Sequence, residues 1–131
     1  MKPTQFAFFY QTEIVILAIE HFLSTMISLD EFTELALSFP GTESAPHFDR
    51  TAFKVIGKRT FATLHSKSHS ANLVLSLKEQ HSFCEFDPDA IYPVPNKWGE
   101  KGWTTFDLKK VSKEALFEGL SSAYSDVAKK T

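Results

Sequence analysis

From residue 28 onward the apolar positions recur with clear periods. Leu29, Phe32, Leu35, Ala36 and Phe39 share one helical face with acids opposite, the spacing of an amphipathic helix. Ser28-Leu29-Asp30-Glu31 just ahead is a capping box, in which serine and glutamate each satisfy a free backbone N–H of the other. Pro40-Gly41 stops that helix. The pattern then becomes strand-like, and three strands are expected at 52–56, 60–64 and 71–77. Gly57-Lys58 predicts a tight hairpin between the first two, since glycine accepts the positive φ such turns require. A polar turn, HSKSHS at 65–70, joins the second and third. Ser76 to Glu79 repeats the capping box and opens a short helix that ends before Asp87-Pro88. The proline-punctuated tract DPDAIYPVPN leaves room only for a short edge strand around 90–92. Residues 103–108 read as a strand with Trp103 in the core. Ser112 caps a last helix whose buried stripe is Leu116, Leu120, Ala123, Tyr124 and Val127.

These elements predict an α+β fold, a two-layer sandwich with a mostly antiparallel sheet, in the order α-β-β-β-α-β-β-α. Ahead of them lies an apolar stretch, FAFFY followed by EIVILAIEHFL. It lacks the features of a targeting segment: Lys2 is its one basic residue, no small-residue cleavage site follows, and Gln11, Thr12, Glu13 and Glu20 break the run. Its longest uninterrupted apolar run, 14–19, is far below the ~20 residues that span a bilayer. The expectation is an extra helix at about 11–24, packed on the domain or on a second copy. The chain thus divides into an apolar extension, 1–25, and a domain, 26–131. Whether the extension is native or reflects an overlong start is open at this point.

A chain of 131 residues makes one domain with a real core, and its 13 phenylalanines make that core aromatic-rich. A single cysteine excludes an internal disulfide and fits a cytoplasmic location. The net charge of −2 argues against gripping a polyanion with the whole surface. Charge is segregated, however. Residues 28–46 carry Asp30, Glu31, Glu34 and Glu43 with no Lys or Arg, whereas 47–69 carry Arg50, Lys54, Lys58, Arg59 and Lys67 against Asp49 alone. Segment 70–96 is acidic again, and 97–113 carries five lysines against Glu100 and Asp107. The two basic segments either meet as one patch or remain separate solvated faces.

No catalytic constellation is present. Nothing has the flanks of a nucleophile elbow, and the five glycines form no phosphate-cradling loop. Cys84, between Phe83 and Phe86, reads as an apolar filler rather than a nucleophile. His65 and His69 have the spacing of paired metal ligands on a helix but fall in a hairpin turn without a second ligand pair. No catalytic residue, metal, cofactor or small-molecule substrate is therefore expected.

Phe39-Pro40-Gly41-Thr42-Glu43, Phe53-Lys54-Val55, Gly57-Lys58, Phe61-Ala62, Asn96-Lys97, Gly102-Trp103 and Ser122-Ala123-Tyr124 stand in an order and spacing that resemble the bacterial MmcQ/YjbR family. The resemblance runs from about residue 27 to 127. The tract YPVPNKWGEKGW adds Trp98 and extra prolines to that family's pattern, and residues 1–25 have no counterpart in it. It implies a fold related in outline to type III secretion chaperones and to the frataxin-like (CyaY-like) group. It also implies a DNA-binding role through hairpin wings. Frataxin-like proteins hold iron on an acidic ridge that Asp30, Glu31 and Glu34 resemble, but three carboxylates are few for a hard cation.

The resulting expectation is a non-enzymatic, cytoplasmic DNA-binding or regulatory module. Arg50, Lys54, Lys58 and Arg59 surround the first predicted hairpin and would meet phosphates. Lys97, Trp98 and Lys101 would add cations beside an aromatic that stacks on bases. The alternative is a protein-interaction or chaperone-like domain that forms a homodimer through residues 5–23.

Overall fold

The computed structural model describes residues 12–20 and 26–130. Residues 12–20 form helix α1; the rest of the predicted 11–24 helix, and FAFFY, lie outside the described residues. The elements that follow are α2 (Leu29–Leu37), β1 (Thr42–His47), β2 (Arg50–Val55), β3 (Thr60–His65), β4 (Ser70–Val74), α3 (Leu77–Phe86), β5 (Ile91–Pro93), α4 (Lys97–Glu100), β6 (Trp103–Asp107) and α5 (Lys113–Lys129). The strands make one six-stranded sheet in the order β1-β2-β3-β4-β6-β5. Every neighbouring pair is antiparallel. The fold is α+β, as the local signals predict.

Those signals act where they were read. Ser28 and Ser76 each accept from the backbone N–H three residues on, with Glu31 and Glu79 returning the bond. Ser112 Oγ accepts from Ala115 N–H at 3.1 Å. Gly57 takes φ +79 at the β2–β3 turn. Three differences stand out. Strand β1 follows Pro40-Gly41 where no strand was expected; its sequence TESAPH is exposed at five of six positions, so pairing with β2 defines it and no buried face does. The third expected strand, 71–77, ends at Val74, because the Ser76 cap puts Leu77 at the head of α3. The proline tract leads into an unexpected single-turn helix, α4, capped by the tract's last residue, Asn96, whose Oδ1 accepts from Trp98 N–H at 2.8 Å.

Alternation along the strands gives the sheet two unlike faces. Phe53, Leu64, Ala71, Leu73, Ile91 and Phe106 point to one side and are buried. Helices α2, α3 and α5 pack there, with Phe32 edge-on to Phe53 at 5.6 Å and Phe83 edge-on to Phe106 at 5.8 Å. Gly119 lets α5 press close, since a methyl group there would lie 2.8 Å from the Phe106 ring. The register sends Arg50, Thr63, Asn72 and Trp103 to the opposite side, away from α2, α3 and α5.

Candidate nucleic-acid interface

On that open face lies a cavity of about 330 Å³, within the size range of small-ligand sites. Four neighbouring strands and the α4 turn build its wall. Arg50 opens β2 and places Nη1 3.4 Å from Thr63 Oγ1 on β3. Asn72 of β4 accepts from Thr105 of β6 through its Oδ1 at 2.8 Å. Asn96, Trp98 and Trp103 complete the far wall, and His47 at the end of β1 closes the near side. No carboxylate is among the lining residues, so no negatively charged side chain lines the cavity. Trp103 corrects the expectation of a core residue. It is half-buried on the outer face, while its neighbours Thr104 and Phe106 are fully buried.

Trp98 is 58% exposed, yet the backbone carrying it is firmly held. Gly99 and Gly102 come so close to the carbonyl oxygens of Val94 and Leu75 that a methyl group on either would sit 1.9 Å from them. Buried Gln80 on α3 donates through Nε2 to Gly99 O at 2.9 Å, Thr104 Oγ1 at 3.1 Å and Trp103 O at 3.3 Å. One amide thereby ties α3 to α4 and β6. A large aromatic presented to solvent on a rigid mount loses little freedom on meeting a ligand.

Lys101 lies over the Trp98 ring, with Nζ 5.2 Å from the centroid, a cation–π geometry. It also lines a second groove, of about 490 Å³, together with Arg59, Lys129, Lys130 and Asp126. The two basic segments of the sequence therefore meet at Lys101. Lys129 and Lys130 join them from the end of α5, an approach that only the tertiary fold reveals. Burial, together with the neighbouring Glu79 carboxylate, raises the Asp126 carboxyl above its ordinary value. For Glu79 burial acts upward as well, but hydrogen bonds from Ser76, Asp126 and Ser122 outweigh it and hold the carboxyl low.

The remaining predicted contacts, Lys54, Lys58 and Lys97, line neither cavity. Lys54 pairs with Glu43 directly opposite on β1 at 3.4 Å. Lys58, at the β2–β3 tip, donates to the Ala128 carbonyl near the end of α5. Lys97 is exposed at the start of α4. At the β1–β2 turn Phe48 is 94% exposed with φ 57, an uncommon backbone for a bulky residue and of a kind concentrated at functional sites. Nothing in the local sequence marks this exposure in advance.

His65 and His69 do not converge on a metal. His65 Nε2 meets Asp49 at 3.0 Å and its Nδ1 meets Ser68, whereas His69 Nε2 bonds Ile27 O at 2.7 Å. Among the described residues no three His, Cys, Asp or Glu side chains gather as a ligand set. Glu31 is engaged by Lys113 at 3.3 Å, and that hydrogen bond holds its carboxyl below the usual value. Burial pushes the Cys84 thiol up, and its side chain packs against the core. Among the described residues no helix is long and apolar enough to cross a membrane.

Comparison with known proteins agrees with this architecture. The crystal structure of Deinococcus radiodurans protein DR2400, which carries the family-model domain DUF419, matches with a TM-score of 0.69 and 24% identity. That match covers 81% of this chain and 82% of the other. No curated protein matches the chain. The family model described as YjbR matches residues 37–125, which include β1 to β6, both cavities' strand walls and most of α5. The chain belongs to the YjbR family.

Proposed function

We propose that this chain is a non-enzymatic DNA-binding module whose phosphate contacts run along the band from Arg50 past Trp98 and Lys101 to Arg59, with Lys97 beside it. The observation that carries the reading is Lys101, which touches the Trp98 ring and lines the groove of Arg59, Lys129 and Lys130. A net charge of −2 spread over the whole surface would repel a polyanion, so a concentrated basic stripe is what favours contact. Lys54 and Lys58 contribute less, since Glu43 and the Ala128 carbonyl already engage them.

The test is fluorescence anisotropy of labelled duplex and single-stranded DNA at two salt concentrations. Affinity falls with salt, and Arg59→Ala or Lys101→Ala each lowers the salt slope by about one. Lys54→Ala leaves it almost unchanged. Absence of binding at low salt refutes the proposal.

A second reading, a homodimer through residues 5–23, is favoured by α1. Ile14, Val15, Ile16, Leu17 and Ile19 are all 48–62% exposed there. Burial of such a surface drives association with little salt dependence. Sedimentation of the full chain would show a dimer that Leu17→Lys dissociates; a monomer at all concentrations removes this reading.

A further inference from the structure

We propose that the cavity on the open sheet face is a single-nucleotide site, in which an unpaired base lies against Trp98 and Trp103 while its phosphate meets Arg50. The inference deepens the DNA-binding reading and rests on it only for the source of the nucleotide, a strand.

The polar lining defines the ligand's chemistry. Arg50 carries five N–H donors, and its one hydrogen bond among the described residues goes to Thr63. Asn72 and Asn96 each accept one hydrogen bond at the side-chain oxygen, from Thr105 Oγ1 and from Trp98 N–H, both at 2.8 Å. Each amide also has an NH₂ group to donate. Both tryptophans add an indole N–H, a donor with no acceptor capacity. Thr63 and His47 can donate or accept, and with no carboxylate in the lining the site carries positive charge and no negative side chain.

A matching ligand supplies acceptors at two places: an anionic group for the guanidinium and carbonyls for the amides. It also supplies a flat face for the indoles. A nucleotide bearing ring carbonyls, such as thymidylate, has all three. Base–aromatic stacking of this kind is indifferent to neighbouring sequence, because every base has a π-face. The volume of about 330 Å³ sits at the small end of ligand cavities, which suits one nucleotide and excludes a duplex. Lys101, already seated over Trp98, lies where the next phosphate along a strand would pass.

The chain has two tryptophans, and both line this cavity. Intrinsic tryptophan emission therefore reports on this cavity and its Trp98 rim, while anisotropy of a labelled strand reports binding anywhere. The experiment titrates full-length protein with labelled oligothymidylate and, separately, with thymidine monophosphate, following both signals. The expected result is quenching that saturates together with the anisotropy rise. Trp98→Ala and Arg50→Gln should each weaken strand binding, the former roughly 5- to 150-fold. Trp98 is exposed, so its replacement leaves the core intact, and Arg50→Gln provides an independent check.

Quenching by the monophosphate without strand binding upholds the cavity as a nucleotide site and overturns the DNA-binding reading. An anisotropy rise with unchanged emission, and with Trp98→Ala binding as tightly as wild type, overturns the cavity inference and leaves DNA binding standing. No response in either signal overturns both.

Discussion

Replacing Gly99 by alanine tests how firmly α4, and with it Trp98, is held. The added methyl group would lie 1.9 Å from the Val94 carbonyl oxygen and 2.9 Å from its carbon. Both are backbone atoms, so no side-chain rotation relieves the contact. Reaching even 3.0 Å requires a shift of at least 1.1 Å (3.0 less 1.9). A displacement of that size, taken along the 2.9 Å bond from Gln80 Nε2 to Gly99 O, breaks it. The 3.0 Å bond from Val94 N–H to Trp103 O is equally exposed to the movement. Overpacking costs ~1–3 kcal/mol, and a buried polar group left without its partner a similar amount. With partial relaxation the expected loss is ~2–4 kcal/mol, roughly 10 °C in melting temperature for a domain of this size.

Gly57→Ala is the matched control. Gly57 has open space around it but φ +79, so alanine there costs only ~1–2 kcal/mol of backbone strain and leaves α4 in place. Urea unfolding followed by circular dichroism and by tryptophan emission measures both variants. A Gly99→Ala midpoint equal to that of wild type, or no lower than that of Gly57→Ala, refutes the argument that close backbone packing fixes the α4 turn.

Tyr124→Phe removes the hydroxyl that donates to Pro40 O at 2.6 Å; urea denaturation should show a loss of ~0.5–1.5 kcal/mol, and an unchanged midpoint would mean the bond is idle in solution. Ser76→Ala takes away the α3 cap and should cost ~1 kcal/mol by the same assay. Asp126→Asn bears on pH. The folded pKa of Asp126 is raised, first by burial and then by Glu79, so its contribution is favourable below the ordinary value of 3.8 and is lost as pH rises through the folded pKa. The asparagine variant should therefore be the more stable protein at pH 7, by less than ~1 kcal/mol given the exposure of the pair. That advantage should fade as the pH falls below 3.8, and urea titrations at pH 7 and pH 3.5 would settle the sign.

What the sequence disclosed was whatever local physics dictates. The Ser28, Ser76 and Ser112 caps, the Gly57 turn and the stripe of α5 all rest on contacts within a few residues. Strand β1 escaped because TESAPH carries no buried face; only its pairing with β2 makes it a strand. Trp103 was placed on the wrong side although a signal was available. Thr104, Phe106 and Leu108 share one parity along the strand and are buried, which leaves Trp103 on the other. The site was half legible for a related reason. Residue types marked Arg50, Trp98 and Lys101, but their convergence depends on long-range pairing. Sequence likewise could not reveal that Lys54 and Lys58 find partners on β1 and α5, or that Lys129 and Lys130 reach the groove of Arg59.

The two outermost strands also bear on how the molecule avoids its own kind. β1 and β5 are the edges of the sheet, and each contains a proline, Pro46 and Pro93. An edge is where proline's missing N–H is best tolerated, and there it interrupts the row of donors on which an incoming strand would template itself. β5 is also only three residues long, and β1 carries Glu43 in a run of exposed positions. The sheet thus offers a foreign strand poor footing at either margin. Fibril-like extension at either margin is thereby disfavoured.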